Sequence, residues 1–319
     1  MSLVPAQGRF VALSGGVGGA KLSLGLAHLL GERLSIIVNT GDDFEHLGLT
    51  ISPDVDTTLY TLADLVNPET GWGRRNETWT FMQATAALGG PDWFNLGDGD
   101  LALHVARTCR LRNGDTLTAI TADVAHHFDI AARVLPMSDQ PVRTQVETPE
   151  GTLGFQDYFV RRRCAPIVTA LRFEGAAAAR PSPQVIAALA KPDLAGIIIC
   201  PSNPWLSIDP ILSVPGLKEA VRAAQVPVIA VTPIIAGQAV KGPTAKIMSE
   251  LGLQGDALTI AQHYRGLIDA FVLDEKDAGL APRFDIPVRV AQTLMRTLDD
   301  KIALAAACLD FCTALRGAR

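Results

Sequence analysis

A doubly wound α/β fold with a mostly parallel sheet is predicted by three observations. Residues 10–13, Phe-Val-Ala-Leu, form a short apolar run that breaks into a glycine-rich turn and then a helical pattern. A second apolar run, Leu34–Val38, follows that helix, so the chain opens as a β-α-β unit whose strands are buried on both faces. The rhythm returns in the C-terminal half, where residues 197–200, Val228–Val231 and residues 270–273 alternate with helical patterns.

Taken in order, the first helix carries Leu22, Leu26, Leu29 and Leu30 inward at helical spacing. Residues 57–128 read mostly as helices with few strands. Residues 144–148 and 152–155 flank Pro149-Glu150-Gly151, which signals a hairpin. The alanine run at 176–179 before Arg180-Pro181 reads as a simple linker. Helices follow around 183–190, 217–224 and 258–267, and Leu294, Leu298, Ile302, Leu309 and Leu315 mark a long amphipathic terminal helix. The plan is a Rossmann-like, nucleotide- or phosphate-binding core from residues 8–56 and 165–319, interrupted by a helical-plus-hairpin insertion at 57–164.

Composition excludes several classes. With 319 residues, 48% hydrophobic and 19% charged, the chain can bury a sizeable core and is not disordered. A net charge of −5, no basic run and 6% aromatics argue against nucleic-acid binding. Cys109, Cys164, Cys200, Cys308 and Cys312 include no CxxC pair and read as small core residues in a reducing compartment. No apolar run approaches the ~18 residues of a membrane span, and residues 1–16 lack a signal-peptide pattern. A cytoplasmic protein is expected.

Chemistry gathers where strands end. Ser14-Gly15-Gly16-Val17-Gly18-Gly19-Ala20-Lys21 sets backbone amides at a helix N-terminus, a place that favours phosphate. Tight strand–helix packing would use the same glycines. The loop is not a dinucleotide fingerprint, because Lys21 stands where the third small residue belongs, and not a Walker A loop, because Leu22 follows Lys21. Asn39-Thr40-Gly41-Asp42-Asp43 follows the second strand, and Ser52-Pro53-Asp54-Val55-Asp56-Thr57 comes soon after, with a helix expected to begin near Asp56. Leu96-Gly97-Asp98-Gly99-Asp100 repeats the Asp-x-Asp spacing. Each pair could be an ordinary helix cap; together, beside a phosphate loop, they suit Mg²⁺ held by hard oxygens. Pro201-Ser202-Asn203-Pro204 and the loop from Lys241 to Lys246 follow further strands and suggest a nucleotide cleft. His104 could face that cleft or serve packing. Trp72, Trp79 and Trp93 could stack on a flat ring or fill a core.

These residues resemble the CofD/FbiA transferases of deazaflavin coenzyme F(420) biosynthesis. The resemblance is carried by the three N-terminal motifs, by Gly71-Trp72-Gly73, Glu77-Thr78-Trp79, Pro91-Asp92-Trp93-Phe94 and Leu96-Gly97-Asp98, by Leu135-Pro136-Met137-Ser138-Asp139, and by Pro201-Ser202-Asn203-Pro204 and Pro233-Ile234-Ile235. It spans nearly the whole chain in order. One departure is Gly99, where the family usually has Arg or Lys.

The resemblance implies transfer of a phospho-acid from a guanosine-diphosphate-linked donor onto the ribityl hydroxyl of the deazaflavin FO, with GMP leaving. The acid could be phospholactate, phosphoenolpyruvate or phosphoglycerate. Transfer at phosphorus needs positioning and charge neutralisation more than a covalent nucleophile. Asp54 and Asp56 are then the expected catalytic and Mg²⁺-holding residues, with Asp42, Asp43 and Asp98 as secondary candidates. Gly15, Gly16, Gly18, Gly19 and Lys21 would hold phosphate, and Pro201, Ser202, Asn203, Lys241 and Lys246 would line the nucleotide cleft. The tryptophan-bearing insertion would close over the deazaflavin, and a homodimer is implied. The opening glycines also resemble YvcK-type gluconeogenesis factors, regulators that bind a nucleotide sugar. Gly71–Gly73, Glu77–Trp79 and Pro91–Phe94 look like the transferase branch instead.

Overall fold

The computed structural model describes residues 7–239 and 242–317. Continuous apolar runs make one wholly parallel sheet, whose strands alone are numbered: β1 (Arg9–Ser14), β2 (Leu34–Val38), β3 (Arg133–Pro136), β4 (Leu194–Ile199), β5 (Val228–Val231), β6 (Ala270–Asp274) and β7 (Val288–Ala291). Their order is β7-β6-β5-β4-β1-β2-β3, and every neighbouring pair is parallel. The chain winds outward from β1 through β2 to β3, then returns beside β1 and winds the other way. At such a reversal the loops after adjacent strands diverge and leave a crevice at their carboxyl ends. Register keeps these ends level, with Ser14 opposite Val38 and Leu13 opposite Ile199.

Alternate side chains feed two cores. Val11, Leu13, Ile197 and Ile199 lie on one side of the sheet with helices Pro183–Leu189, Leu217–Ala223 and Ala257–His263. Phe10, Ala12, Ile36 and Ile198 lie on the other with Gly16–Leu30, Pro53–Leu62 and Leu298–Gly317. Gly25 permits backbone contact between the first and last of these helices, since a Cβ there would collide with the carbonyl of Lys301.

The helix after Ser52 starts at Pro53 rather than near Asp56, because proline's fixed φ suits the first helical position. The terminal helix starts at Leu298 and leaves Leu294 outside, since the Asp300 carboxylate accepts the amides of Arg296 and Thr297, each at 2.8 Å, and sets the start there. The hairpin around Pro149-Glu150 pairs Arg143–Thr148 with Gly151–Gly154, and Ala170–Glu174 adds a third antiparallel strand. Three elements cross the divisions expected at 57 and 164: the helix Pro53–Leu62 runs through the first and packs in the core, β3 joins the main sheet, and Ala170–Glu174 joins the hairpin. The alanine stretch holds a short 3-10 turn, Ala176–Ala178, with Ala176 and Ala179 packed in the core.

Cys200, Cys308 and Cys312 are buried, whereas Cys109 is exposed and Cys164 half-buried; all are free thiols. Among the described residues no helix is long and apolar enough to cross a membrane.

Candidate functional site

The loops after β1, β2 and β4 meet at the reversal point. Gly15 continues β1 in extended conformation, and Gly16 turns the chain into the first helix at φ +61°, a value that favours glycine. Its amide donates to Asp54 Oδ1 at 2.8 Å, and the Gly15 amide donates to Ser202 Oγ at 3.1 Å. The helix N-terminus therefore already faces a carboxylate of the chain. Gly18 and Gly19 allow close approach of the β4 loop: a Cβ on Gly18 would overlap the Pro201 carbonyl, and one on Gly19 would strike the Ser14 and Ser202 hydroxyls. Lys21, further along the helix, donates from Nζ to the Met295 carbonyl at 3.1 Å.

Asp42, Asp43 and Asp54 gather over this turn. The Asn39 carboxamide organises them: Oδ1 accepts the Gly41 amide at 2.7 Å, and Nδ2 donates to Asp54 Oδ2 at 2.9 Å. Ser52 Oγ donates to Asp43 Oδ2 at 2.8 Å. All three carboxyls are buried, and Oδ1 of both Asp42 and Asp43 lacks any hydrogen-bond partner. Burial pushes Asp54 up to about 6 and Asp43 up to about 7. Burial, with repulsion from Asp54 added, pushes Asp42 well above the usual carboxylate range. Two buried hydroxyls, Thr40 Oγ1 and Thr144 Oγ1, are also unpartnered, and Thr144 is held at this loop by its amide, which donates to the Gly41 carbonyl at 2.7 Å. Such groups are costly to bury unsatisfied, and at a crevice they suit a ligand that supplies the missing partners.

Asp56 belongs to a different neighbourhood. Two residues apart on a helix, Asp54 and Asp56 diverge by roughly 200°. Both oxygens of Asp56 receive the buried guanidinium of Arg107, Nη1 reaching Oδ2 at 3.1 Å and Nη2 reaching Oδ1. His104 bridges onward, with Nδ1 3.7 Å from Asp56 Oδ2 and Nε2 3.2 Å from Asp100 Oδ2, and Tyr60 donates to Asp100 Oδ1 at 2.6 Å. One ligand atom from each of Asp56, Asp100 and His104 fits within 4.8 Å of the others, but Arg107 already supplies the cation there. The structure thus separates the expected Asp54–Asp56 pair and brings Asp54 to Asp42 and Asp43 instead.

The remaining expected residues take fixed places. Asp98 is a capping group: its carboxylate accepts from Thr78 Oγ1 at 2.6 Å and from the Thr80 and Phe81 amides, each at 3.0 Å, and these bonds draw it down to about 2. Asn203 Oδ1 accepts the amides of Trp205 and Leu206, each at 3.0 Å, while Nδ2 donates to Thr244 Oγ1 at 3.0 Å. Lys246 binds Glu250 and the Pro166 carbonyl, at 2.5 and 2.9 Å, and so ties its helix to the segment after the hairpin. Lys241 lies outside the described residues. Trp72 and Trp79 are exposed, while Trp93 packs edge-on to His46, their ring centroids 5.1 Å apart. A cavity of about 500 Å³ lined by Arg9, Glu32, His126 and Arg133 opens at the opposite, amino end of the strands, away from this crevice.

The model of the family described as 2-phospho-L-lactate transferase CofD matches residues 10–285, nearly the whole chain. The chain belongs to this family. A phosphoenolpyruvate transferase of Streptomyces griseus is 37% identical over 318 residues, covering 97% of this chain and 99% of its own. A 2-phospho-L-lactate transferase of Methanosarcina mazei is 39% identical over 268 residues, covering 84% of this chain and 87% of its own. In fold, the chain is similar to a crystal structure of a UPF0052-family protein from Bacillus halodurans, with TM-score 0.60, 13% identity, and coverage of 94% and 98%.

Within this CofD-family chain, the departure at Gly99 has a structural counterpart. A side chain at 99 would begin where the Arg74 guanidinium now sits, so a different position brings the basic group there. Glu77 holds the same helix start, accepting the Gly99 and Asp100 amides at 2.6 and 2.8 Å. Arg107, Thr144 and Glu77 were not legible as site residues, because each lies far along the chain from the group it bonds. His46, buried with its Nε2 unpartnered, carried no spacing signal either.

Proposed function

We propose that this CofD-family transferase moves a phospho-acid from a guanosine-diphosphate-linked donor onto the ribityl hydroxyl of the deazaflavin FO, releasing GMP, in coenzyme F(420) biosynthesis. The convergence of buried, unsatisfied Asp42, Asp43, Thr40 and Thr144 oxygens at the sheet's reversal point carries this assignment. It is supported by relatives named phosphoenolpyruvate transferase and 2-phospho-L-lactate transferase; phosphoglycerate is the third acid the site would be offered.

Asp42 and Asp54 fit Mg²⁺: two buried carboxylates repel each other, and Asp42 Oδ1 has no partner. When bound there, the ion neutralises phosphate charge. Asp56 does not join them, since Arg107 holds it. The hydroxyl of the acceptor attacks the acid-bearing phosphorus, a new P–O bond forms, and the bond to the GMP oxygen breaks. Asp43 takes the hydroxyl proton; burial sets its pKa at about 7, where a general base works best, and its Oδ1 is free to accept. The Gly15–Gly19 turn and the Pro201–Asn203 loop line the nucleotide side. Trp72 and Trp79 supply exposed apolar surface for closure over the deazaflavin, which keeps water from the donor. We place the enzyme in the cytoplasm, as the sequence leads us to expect, and as a homodimer, as the resemblance implies. Titration of the protein with FO, followed by deazaflavin fluorescence with and without GDP and Mg²⁺, tests the assignment. Saturable binding strengthened by nucleotide is expected; no binding under any condition would remove it.

A further inference from the structure

We propose that Arg143 receives the carboxylate of the transferred acid and so governs which donors the enzyme accepts, an assignment that rests on the function proposed above. Arg143 opens the strand Arg143–Thr148, and the bond from the Thr144 amide to the Gly41 carbonyl pins this strand end to the acidic loop at 2.7 Å. Arg143 is half-buried, and the one hydrogen bond of its guanidinium among the described residues is to the Val142 carbonyl at 2.9 Å. No carboxylate among the described residues lies within ion-pair distance of it, although Asp42 and Asp43 directly follow the Gly41 carbonyl to which its strand is bonded. A second, independent observation lies at the same loop: Thr40 and Thr144, 2% and 1% exposed, present hydroxyls with no partner.

The loop therefore has two flanks. Asp42, Asp43 and Asp54 offer acceptors and suit a cation or a hydroxyl. Arg143, Thr40 and Thr144 offer donors and suit an anionic group. A guanidinium fork matches the two oxygens of a carboxylate, and each of the three candidate acids carries one. In the function proposed above, the β1 and β4 turns line the nucleotide side, and the carboxylate is then assigned to Arg143.

The test compares the wild type with Arg143→Gln and Arg143→Lys, using whichever guanylyl-linked donor the wild type takes among phospholactate, phosphoenolpyruvate and phosphoglycerate, and an analogue of it in which a neutral group replaces the carboxylate. The wild type is expected to prefer the carboxylate donor strongly. Arg143→Gln should raise the KM for that donor by ~10- to 100-fold and lose the preference, with GDP affinity, FO affinity and melting temperature unchanged. Arg143→Lys should retain part of the preference, and it serves as the test if the Gln variant does not fold. A folded variant that discriminates between the two donors as the wild type does would overturn the assignment. Failure of the wild type to transfer from any of the three carboxylate donors would instead overturn the proposed function, and the role of Arg143 with it.

Discussion

Asp54 and Asp56 share a sequence motif but not a task, and substituting each should reveal the difference. Asp54→Asn removes a carboxylate from a crowded buried cluster, so turnover should fall by ~100-fold or more while the melting temperature holds or rises. Asp56→Asn leaves the buried Arg107 without its counter-ion, a change that costs roughly 3–5 kcal/mol and should appear as a lowered midpoint in urea unfolding. A stable Asp56→Asn protein would contradict the Arg107 pairing described here. The raised carboxyl pKa values also fix a sign for pH. Asp54 and Asp43 bind protons more tightly in the folded chain than in the unfolded one, with pKa values of about 6 and about 7. The contribution of these two carboxyls to metal-free stability is therefore fully present below the ordinary carboxylate range and is lost as pH rises through these two values. Mg²⁺ competes with those protons, so it should raise the melting temperature more at pH 8 than at pH 5, as differential scanning calorimetry would detect. An equal shift at both pH values would argue against a cation at this cluster. The sequence exposed the aspartates, because Asp beside Gly and Pro marks loops at strand ends. It did not reveal their partners, because Arg107 and Asn39 bond to them only once the sheet and the helix Asp98–Arg112 are assembled.

The glycines act between elements. Gly18 lets the first helix rest against the Pro201 carbonyl, and Gly25 lets it rest against Lys301 in the terminal helix. Gly25→Ala should cost roughly 1–3 kcal/mol through overpacking, read as a lower melting temperature with unchanged substrate affinities. Gly18→Ala should do the same and in addition weaken GDP binding, because it pushes the β4 loop out of the nucleotide crevice; isothermal titration separates the two cases. Legibility among elements follows burial. β1, β2, β5 and β6 stand out because a central parallel strand is apolar on both faces. β3 escapes notice because its four residues begin with Arg133 and end with Pro136, and β7 because the half-exposed Val288–Ala291 forms the far edge. The three-residue strands Phe44–His46 and Leu49–Ile51 are too short to show alternation.

In the whole molecule, strand order decides where chemistry can happen. β1 and β4 are adjacent in the sheet but separated by the entire middle of the chain, so their loops, together with that of β2, enclose the crevice in which Asp42, Asp43, Asp54 and Ser202 meet. The stretch between β2 and β4 returns to the sheet at β3 and supplies Arg107 and Arg143, which links the tryptophan-bearing segment to the acidic loop. The central claim is that this crevice joins a guanylyl-linked phospho-acid to a deazaflavin alcohol. It is tested most directly by incubating the protein with FO, Mg²⁺ and, in turn, the guanylyl-linked phospholactate, phosphoenolpyruvate and phosphoglycerate donors, then measuring deazaflavin products by mass spectrometry and GMP by chromatography. The account predicts a phospho-acid ester of FO and GMP in equal amounts, both lost in Asp54→Asn. Unchanged FO, in a preparation that binds a nucleotide sugar, would contradict it.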